Sequence, residues 1–385
     1  MIHVAAISLL VATASETTVT NSAALREALR LATPGTTIRL AAGRYEAMSF
    51  EGLRGEAGRP ITLRGESSAS PPTIAGIHLS DPEHVVLEDL AIRGTSSNGI
   101  NVDDGGTFET PARSITLRRV SVADCKARGN VDGIKLSGVE SFLVEECTIE
   151  RWGRGGSAID MVGCRDGRIV RCTIRDSEQD PASNGIQTKG GSRSIRIEEC
   201  RFEHAGQRAV NIGGSTALAY FRPKPEGYEA KDITVERCTF IGSMAPIAFV
   251  GVDGATVRRN VIFRPSKWFM RILQETREPG FAPCRNGVFS ENLVAYRSDE
   301  VVTPVNIGPG TAPETFTFER NYWFAMDAPG RSIPRLPKPE VEPRGGSDPL
   351  FADPEQLDLR LREGSPAANV ITPATPPAGS PDRTR

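Results

Sequence analysis

The feature that most constrains this chain is a short pattern recurring along most of its length. An apolar residue is followed by two variable ones, a corner residue, one more variable residue and another apolar one. It reads Leu87-Glu-Asp-Leu90-Ala-Ile92, Leu117-Arg-Arg-Val120-Ser-Val122, Val144-Glu-Glu-Cys147-Thr-Ile149, Ile169-Val-Arg-Cys172-Thr-Ile174 and Ile197-Glu-Glu-Cys200-Arg-Phe202. Later copies are Val235-Glu-Arg-Cys238-Thr-Phe240, Val257-Arg-Arg-Asn260-Val-Ile262, Phe289-Ser-Glu-Asn292-Leu-Val294 and Phe318-Glu-Arg-Asn321-Tyr-Trp323. Successive corners lie 30, 27, 25, 28, 38, 22, 32 and 29 residues apart. Units of that length rich in β-branched residues are coils of a strand-built solenoid, whereas helical repeats need longer units with Ala and Leu periodicity. The expected fold is all-β: a single-stranded right-handed parallel β-helix of about 9–11 coils with a short N-terminal capping helix.

The corner residue is Cys on four successive coils and then Asn on three. Asn tolerates a left-handed backbone and can hydrogen-bond to its copy one coil away. Cys there reads as a small buried filler in a packed column, although stacked coils are close enough that a disulfide is not geometrically barred. The seven cysteines form no CxxC pair, which argues against a zinc site.

Each coil holds a second strand: Gly99-Ile-Asn101, Gly133-Ile-Lys135, Ala158-Ile-Asp160, Gly185-Ile-Gln187, Ala209-Val-Asn211, Pro246-Ile-Ala248 and Pro304-Val-Asn306, with Met270-Arg271-Ile272 in the intervening coil. Strand side chains alternate faces, so Ile and Val point inward. Asn101, Lys135, Asp160, Gln187, Asn211, Ala248, Arg271 and Asn306 then form an outward column. The small residue two before each would leave an open groove floor. Lys189 is outward two positions beyond Gln187, and His204 and Arg208 lie on the turn entering the next strand. The longest coil carries an insertion, Gly213 to Lys231, with Tyr220, Phe221, Arg222 and Tyr228. A long loop at one point of a solenoid walls a binding site, and aromatic with basic side chains suit a sugar ring and an anion. A plainer account treats Lys135 and Asp160 as a cross-strand ion pair of a few tenths of a kcal/mol.

The ends fit a solenoid. Residues 22–32 are amphipathic behind a Ser or Asn cap and can cover the first coil. Residues 1–14 contain a short apolar run and a small-residue cleavage site, which suggests a signal peptide and a secreted or periplasmic protein. Residues 15–60 make the cap and first coil, 61–345 the β-helix and 346–370 a closing segment, and the Pro-rich tail 371–385 is expected to be disordered. A net charge of −2 implies no pull toward nucleic acid or membrane, and a monomer is expected.

Over about residues 20–370 the chain resembles secreted β-helix proteins that act on polysaccharides, the ending Asp348-Pro-Leu-Phe-Ala-Asp-Pro…Leu359-Arg-Leu-Arg-Glu-Gly-Ser-Pro366 included. Its motif is most similar to the chondroitinase B and alginate lyase family, in which a short strand ends in a catalytic Lys with an acidic calcium ligand five residues earlier. Asn184-Gly-Ile-Gln-Thr-Lys189 has that spacing. The resemblance gives Lys189 the base or charge-neutralising role. The family's Arg on the following coil falls at Asn211 when Phe202 and Gly206 are aligned, with Arg208 the nearest substitute. At the family's acidic calcium positions stand Asn184 and Ala182. Calcium is thus a possible cofactor, with Asn184 and Asp132 as its weak candidate ligands.

A uronate lyase removes the proton beside a carboxylate, so cations must stabilise the charge that builds and a Lys or His must take the proton. Lys189, Arg208, Lys135 and Asp160 are the candidate catalytic residues. Gln187, Asn211, His204, Tyr220, Arg222 and Arg271 are candidates for binding an acidic polysaccharide. A glycoside hydrolase would instead need carboxylates on neighbouring coils; Asp132 and Asp160 are candidates and Asp103-Asp104 a third acidic spot, but the Asp pairs and Gly-His-Gly of polygalacturonases are missing. A non-catalytic carbohydrate-binding solenoid is the third reading, since a fold alone does not decide function.

Overall fold

The computed structural model describes residues 15–107 and 109–371. The expected leader, residues 1–14, and all but the first residue of the expected tail lie outside them. The described chain winds through three long parallel sheets. Sheet 1 has 13 strands, sheet 2 has 12 and sheet 3 has 10. One coil visits all three: Arg165–Val170 in sheet 1, Thr173–Arg175 in sheet 2 and Asn184–Lys189 in sheet 3. Ten coils are counted along sheet 3, within the expected range. No described helix is long and apolar enough to cross a membrane.

The core follows from the repeat. Ile169, Ile174 and Ile186 of that coil are fully buried, as are Ile197, Phe202 and Val210 of the next. Phe202 stacks on Phe240 with ring centroids 4.6 Å apart. The N-terminal coil is capped by helix α1 (Ser22–Arg30), whose Asn21 side chain accepts from the Ala24 N–H at 2.9 Å and whose Leu25 and Leu29 are buried. A strand at Glu16–Val19, which the sequence did not suggest, precedes it.

The corner columns are in register. All seven cysteines are buried free thiols. The Cys147, Cys172 and Cys200 sulfurs point at the backbone carbonyls of Leu117, Val144 and Ile169 one coil back. Burial pushes their thiols well above the ordinary range and Cys164 to about 12, so they are filler rather than nucleophiles. Where the column changes to Asn, it becomes a hydrogen-bonded ladder. Asn260 Nδ2 donates to Asn292 Oδ1 at 2.9 Å, and Asn292 Nδ2 to Asn321 Oδ1 at 3.0 Å.

Two expectations need correction. The left-handed residue of each corner is not the Asn or Cys but the one before it: Asp89, Arg119, Glu146, Arg171, Glu199, Arg237, Arg259, Glu291 and Arg320, with φ between 49 and 55°. The turn throws that side chain outward, where acid and base pair from coil to coil, as in Arg119 with Asp89 and Arg259 with Glu291. The small residues before each sheet 3 strand do not form a groove floor either. A Cβ on Gly99 would meet Val122 Cγ1 at 2.5 Å, and one on Gly133 would meet Ile149 Cγ2 at 2.6 Å. They are small because the chain turns two successive positions into the core.

The closing segment folds back along the outer face of sheet 2. An antiparallel pair, Phe351–Asp353 with Asp358–Leu361, covers Ile241, Val261, Phe263, Leu293 and Tyr322. Ile371, expected to begin the disordered tail, is buried in this cluster.

Candidate active-site groove

Sheet 3 presents the outward column in the expected register and extends it by two coils at the N-terminal end. Ser49, His78, Asn101, Lys135, Asp160, Gln187, Asn211, Ala248, Arg271 and Asn306 lie side by side on successive strands. Adjacent strands are about 4.8 Å apart, so neighbours in the column can touch.

They touch most closely at the centre. The Lys135 ammonium is hydrogen-bonded to Asp160 Oδ2 and stands 3.6 Å from Asp132 Oδ2. Lys189 Nζ lies 3.4 Å from the other Asp160 oxygen and donates to Gln187 Oε1 at 3.2 Å. Two lysines from non-adjacent coils thus converge on one carboxylate. The carboxylates lie beneath: the Asp132 and Asp160 side chains are 3% and 2% exposed, against 18% and 17% for Lys135 and Lys189. Burial, and then the Asp160 charge, push the Asp132 carboxyl up to about 6. Burial works against the Lys135 ammonium, but Asp160 and Asp132 outweigh it and raise its proton affinity.

Amides continue the cluster. Gln187 Oε1 accepts from Ser157 Oγ and Asn184 Nδ2, each at 3.4 Å. Gln187 Nε2 and Asn211 Nδ2 both donate to the Gly213 carbonyl, at 3.5 and 3.4 Å. Arg208 reaches the column by donating to Asn211 Oδ1 at 3.2 Å, and its other end pairs with Glu275 at 2.8 Å. Arg208 sits opposite Asn184 across the coils, at the far end of the strand from Lys189. Five strand residues span about 16 Å, so Arg208 does not meet Lys189; the two are linked through Asn211, the Gly213 carbonyl and Gln187.

The insertion departs further from expectation. It leaves the coil after Gly213 and folds back over coils already laid down. Arg222 Nη1 reaches both Asp104 oxygens at 2.5 Å, and Asp104 is 1% exposed. Gly138 and Gly163 form the trough. At φ of 63 and 62°, a Cβ on them would meet Asp104 Oδ2 at 2.2 Å and Arg222 Cβ at 2.3 Å. Arg222, expected to hold substrate, instead pins the loop. Phe221 is buried edge-on against Phe281, and Tyr228 is buried and donates to Glu226 at 2.6 Å. Tyr220 is 66% exposed and remains available. His204 does not join Lys189: it lies in the left-handed turn between sheets 2 and 3, where a Cβ on Gly242 would meet its Nδ1 at 2.4 Å. Arg271 donates to Asn306 at 2.9 Å and lies 4.6 Å over the Trp268 ring, as does Lys267. Trp323 and Trp152 are core residues.

Glu229 is a residue the sequence did not single out. Fully buried, it accepts from the Gly190 N–H at 2.9 Å, from Thr216 N and Oγ1 at 2.8 Å each, and from Thr276 Oγ1. It ties the insertion, the loop after Leu273 and the backbone beside Lys189 to one carboxylate.

The calcium candidates do not fit an ion. Asp132 is committed to the Ser157 N–H at 2.8 Å and faces the Lys135 ammonium. Asn184 lies two coils away behind Ser157 and turns its NH₂ group toward Ser157 and Gln187. Among the described residues no three His, Cys, Asp or Glu side chains cluster as a metal site. An ammonium occupies the place where a divalent cation would need oxygen ligands.

No curated protein matches the sequence. Solved structures share its fold. A polysaccharide lyase of family 6 from Pseudopedobacter saltans superposes with a TM-score of 0.56 at 13% identity, over 93% of this chain and 97% of that one. A mannuronic acid specific family 6 lyase from human gut microbiota gives 0.53 at 16% identity, over 89% and 94%. Pectate lyase Pel9A gives 0.50 at 11% identity, over 85% and 84%. Residues 75–267, half of the chain, match the model of the right handed beta helix region. The strand repeat, the three parallel sheets and this match agree: the chain belongs to the right-handed β-helix family.

Proposed function

We propose that the chain is a polysaccharide lyase that cleaves a uronate-containing glycan by β-elimination in the groove over Lys135, Asp160 and Lys189. One observation carries this reading: two ammonium groups form the exposed surface of the cluster, backed by carboxylates buried beneath them. An anionic sugar entering the groove meets cations first. Lys135, held protonated by Asp160 and Asp132, neutralises the substrate carboxylate as the adjacent carbon becomes acidic. Lys189 acts as the base, in the enzyme form in which it carries no extra proton, and takes the proton from that carbon. The electron pair forms a double bond and expels the glycosidic oxygen, which takes its proton from the new Lys189 ammonium or from water. Gln187 orients Lys189, Asn211 and Arg208 extend the polar floor, and Tyr220 and Arg271 offer contacts to neighbouring sugars. That polysaccharide lyases share the fold supports the substrate class. A polymer of this kind is met outside the cytoplasm, which fits a secreted or periplasmic protein.

A hydrolase reading draws on Asp132 and Asp160, two carboxylates on neighbouring coils, the first pushed up to about 6 by burial and the Asp160 charge. Their burial beneath the lysines favours elimination. Incubation with alginate, chondroitin and pectin separates the two. A lyase releases products absorbing in the ultraviolet through a double bond conjugated to the carboxylate, and Lys189→Ala abolishes the signal. Reducing ends without absorbance, lost in Asp160→Asn, would establish hydrolysis. Binding to a glycan panel without turnover would make the groove a lectin site.

A further inference from the structure

The outward column holds a second constellation at its N-terminal end, on three successive coils and outside the lysine cluster. Ser49 Oγ lies 3.2 Å from His78 Nδ1, and His78 Nε2 lies 2.7 Å from Asp103 Oδ2. Ser49 and His78 are cross-strand neighbours, and Asp103 projects from the next strand two residues beyond Asn101. Asp103 is held in place by Ser80 Oγ at 2.9 Å, Asn101 Nδ2 at 2.9 Å and the Gly105 N–H at 3.0 Å. Burial raises its proton affinity, but the His78, Gly105 and Ser80 contacts outweigh it and keep it below the usual carboxylate range.

These contacts fix the direction of the hydrogen bonds. An ionised Asp103 only accepts, so His78 Nε2 carries the hydrogen. In the neutral imidazole Nδ1 then presents its lone pair to the Ser49 hydroxyl. A nucleophile lies within reach of a base, and the base is oriented by a carboxylate, which is the general arrangement for an activated serine. A ladder serving only stability would not need this acid–base order. Ser49 also stands on the edge strand of sheet 3, Met48–Glu51. The Met48 and Gly52 N–H groups bond toward the next coil, to Gly76 and Ser80 carbonyls. Alternation along a parallel strand turns the Ser49 N–H toward the open edge. Among the described residues no acceptor is paired with it, so it is placed to meet an oxyanion formed at Ser49.

We propose that Ser49, His78 and Asp103 form a hydrolytic site for acyl esters, suited to O-acyl groups on a glycan lying in the same groove. His78 and Lys135 are two coils apart in the column, about 10 Å, so one chain can span both sites. As Ser49 Oγ bonds to the acyl carbon, its proton moves to His78 Nδ1. The proton passes to the sugar oxygen as the ester C–O bond breaks. Water then attacks the acyl-serine, giving one proton to Nδ1 that returns to Ser49 Oγ, and the carboxylic acid leaves. Side-chain exposures of 44% for His78 and 21% for Asp103 leave the site open to a polymer.

The test uses the full chain with a fluorophosphonate probe, p-nitrophenyl acetate and an acetylated polyuronate. Peptide mapping is expected to find the probe on Ser49, with no labelling in Ser49→Ala, at least 100-fold slower labelling in His78→Gln and slower labelling in Asp103→Asn. Acetate release should follow the same order. Wild-type protein that leaves Ser49 unlabelled overturns the proposal without any variant, as does acetate release that persists in Ser49→Ala or labelling indifferent to His78→Gln. Ester turnover is read separately from ultraviolet product formation, so either activity can fail without the other.

Discussion

The Lys189 ammonium stands 3.4 Å from Asp160 Oδ1, an oxygen buried without a hydrogen-bond donor aligned to it among the described residues. The other Asp160 oxygen is bonded to Lys135. One carboxylate therefore holds two lysines in place, and Asp160→Asn should disturb both. Without the Asp160 charge Lys189 keeps only its contact to Gln187 and is less well placed to abstract the proton, so kcat should fall. Lys135 loses its partner and holds the substrate carboxylate less well, so KM should rise about tenfold or more, about 1.4 kcal/mol of binding. Steady-state kinetics of the two proteins on an acidic glycan check this. Unchanged kcat and KM would show that the ion pair is only structural.

Asp132 gives a stability signature. Its carboxyl titrates at about 6 in the folded protein, against roughly 4 for an unfolded aspartate. Between those values the folded state binds more protons than the unfolded one, so stability falls as pH rises through this window. Two units correspond to about 2–3 kcal/mol at most, reduced by its coupling to Asp160. Asp132→Asn removes the titration, and its denaturation midpoint should change less than wild type between pH 4 and 6. Parallel curves for the two proteins would contradict the assignment.

The Asn ladder should be far more sensitive than the Cys column beside it. Asn292 bonds Asn321 and the Val257 carbonyl and receives from the Asn260 side chain and backbone. Asn292→Ala strands several buried groups, each costing about 1–3 kcal/mol, so a loss of about 3–5 kcal/mol is expected. Cys172→Ala removes only a sulfur filling space, which costs about 1–2 kcal/mol. Chemical denaturation of the pair checks the order.

How much of this was legible in the sequence depends on which residues carried a period. Ile, Val and the Cys-to-Asn corner repeat by coil, so the fold, the register and the column from Asn101 to Asn306 could be read directly. The column's first members, Ser49 and His78, escaped because their coils lack the corner pattern that sets the phase. Nothing in a loop's sequence says where it lands: Arg222, basic and beside aromatics, suits an anionic sugar, yet its partner is Asp104, 118 residues away. The family alignment makes Arg208 the substitute for the Arg that acts beside the Lys, yet Arg208 opens its sheet 3 strand opposite Asn184 while Lys189 closes the neighbouring one, and His204 stays in the turn before that strand.

Glu229 belongs to the same illegible class, and its role can be tested in full. Its two oxygens take bonds from Gly190, Thr216 and Thr276, so it joins two loops to the residue following Lys189. All four groups, two of them from Thr216, are donors. In Glu229→Gln the new NH₂ group faces N–H or O–H groups, and at least one bond becomes a repulsion. A hydrogen bond to a charged group contributes about 1.5–3 kcal/mol, so Glu229→Gln should destabilise the protein by about 2–4 kcal/mol. The loops, released together, should be cut by protease within 214–228 and 275–283 well before the solenoid itself. On an acidic glycan KM should rise more than kcat falls, because the loops wall the groove while Lys189 stays on its strand. Unchanged proteolysis, or a loss confined to kcat, would show that Glu229 holds neither loop to the groove.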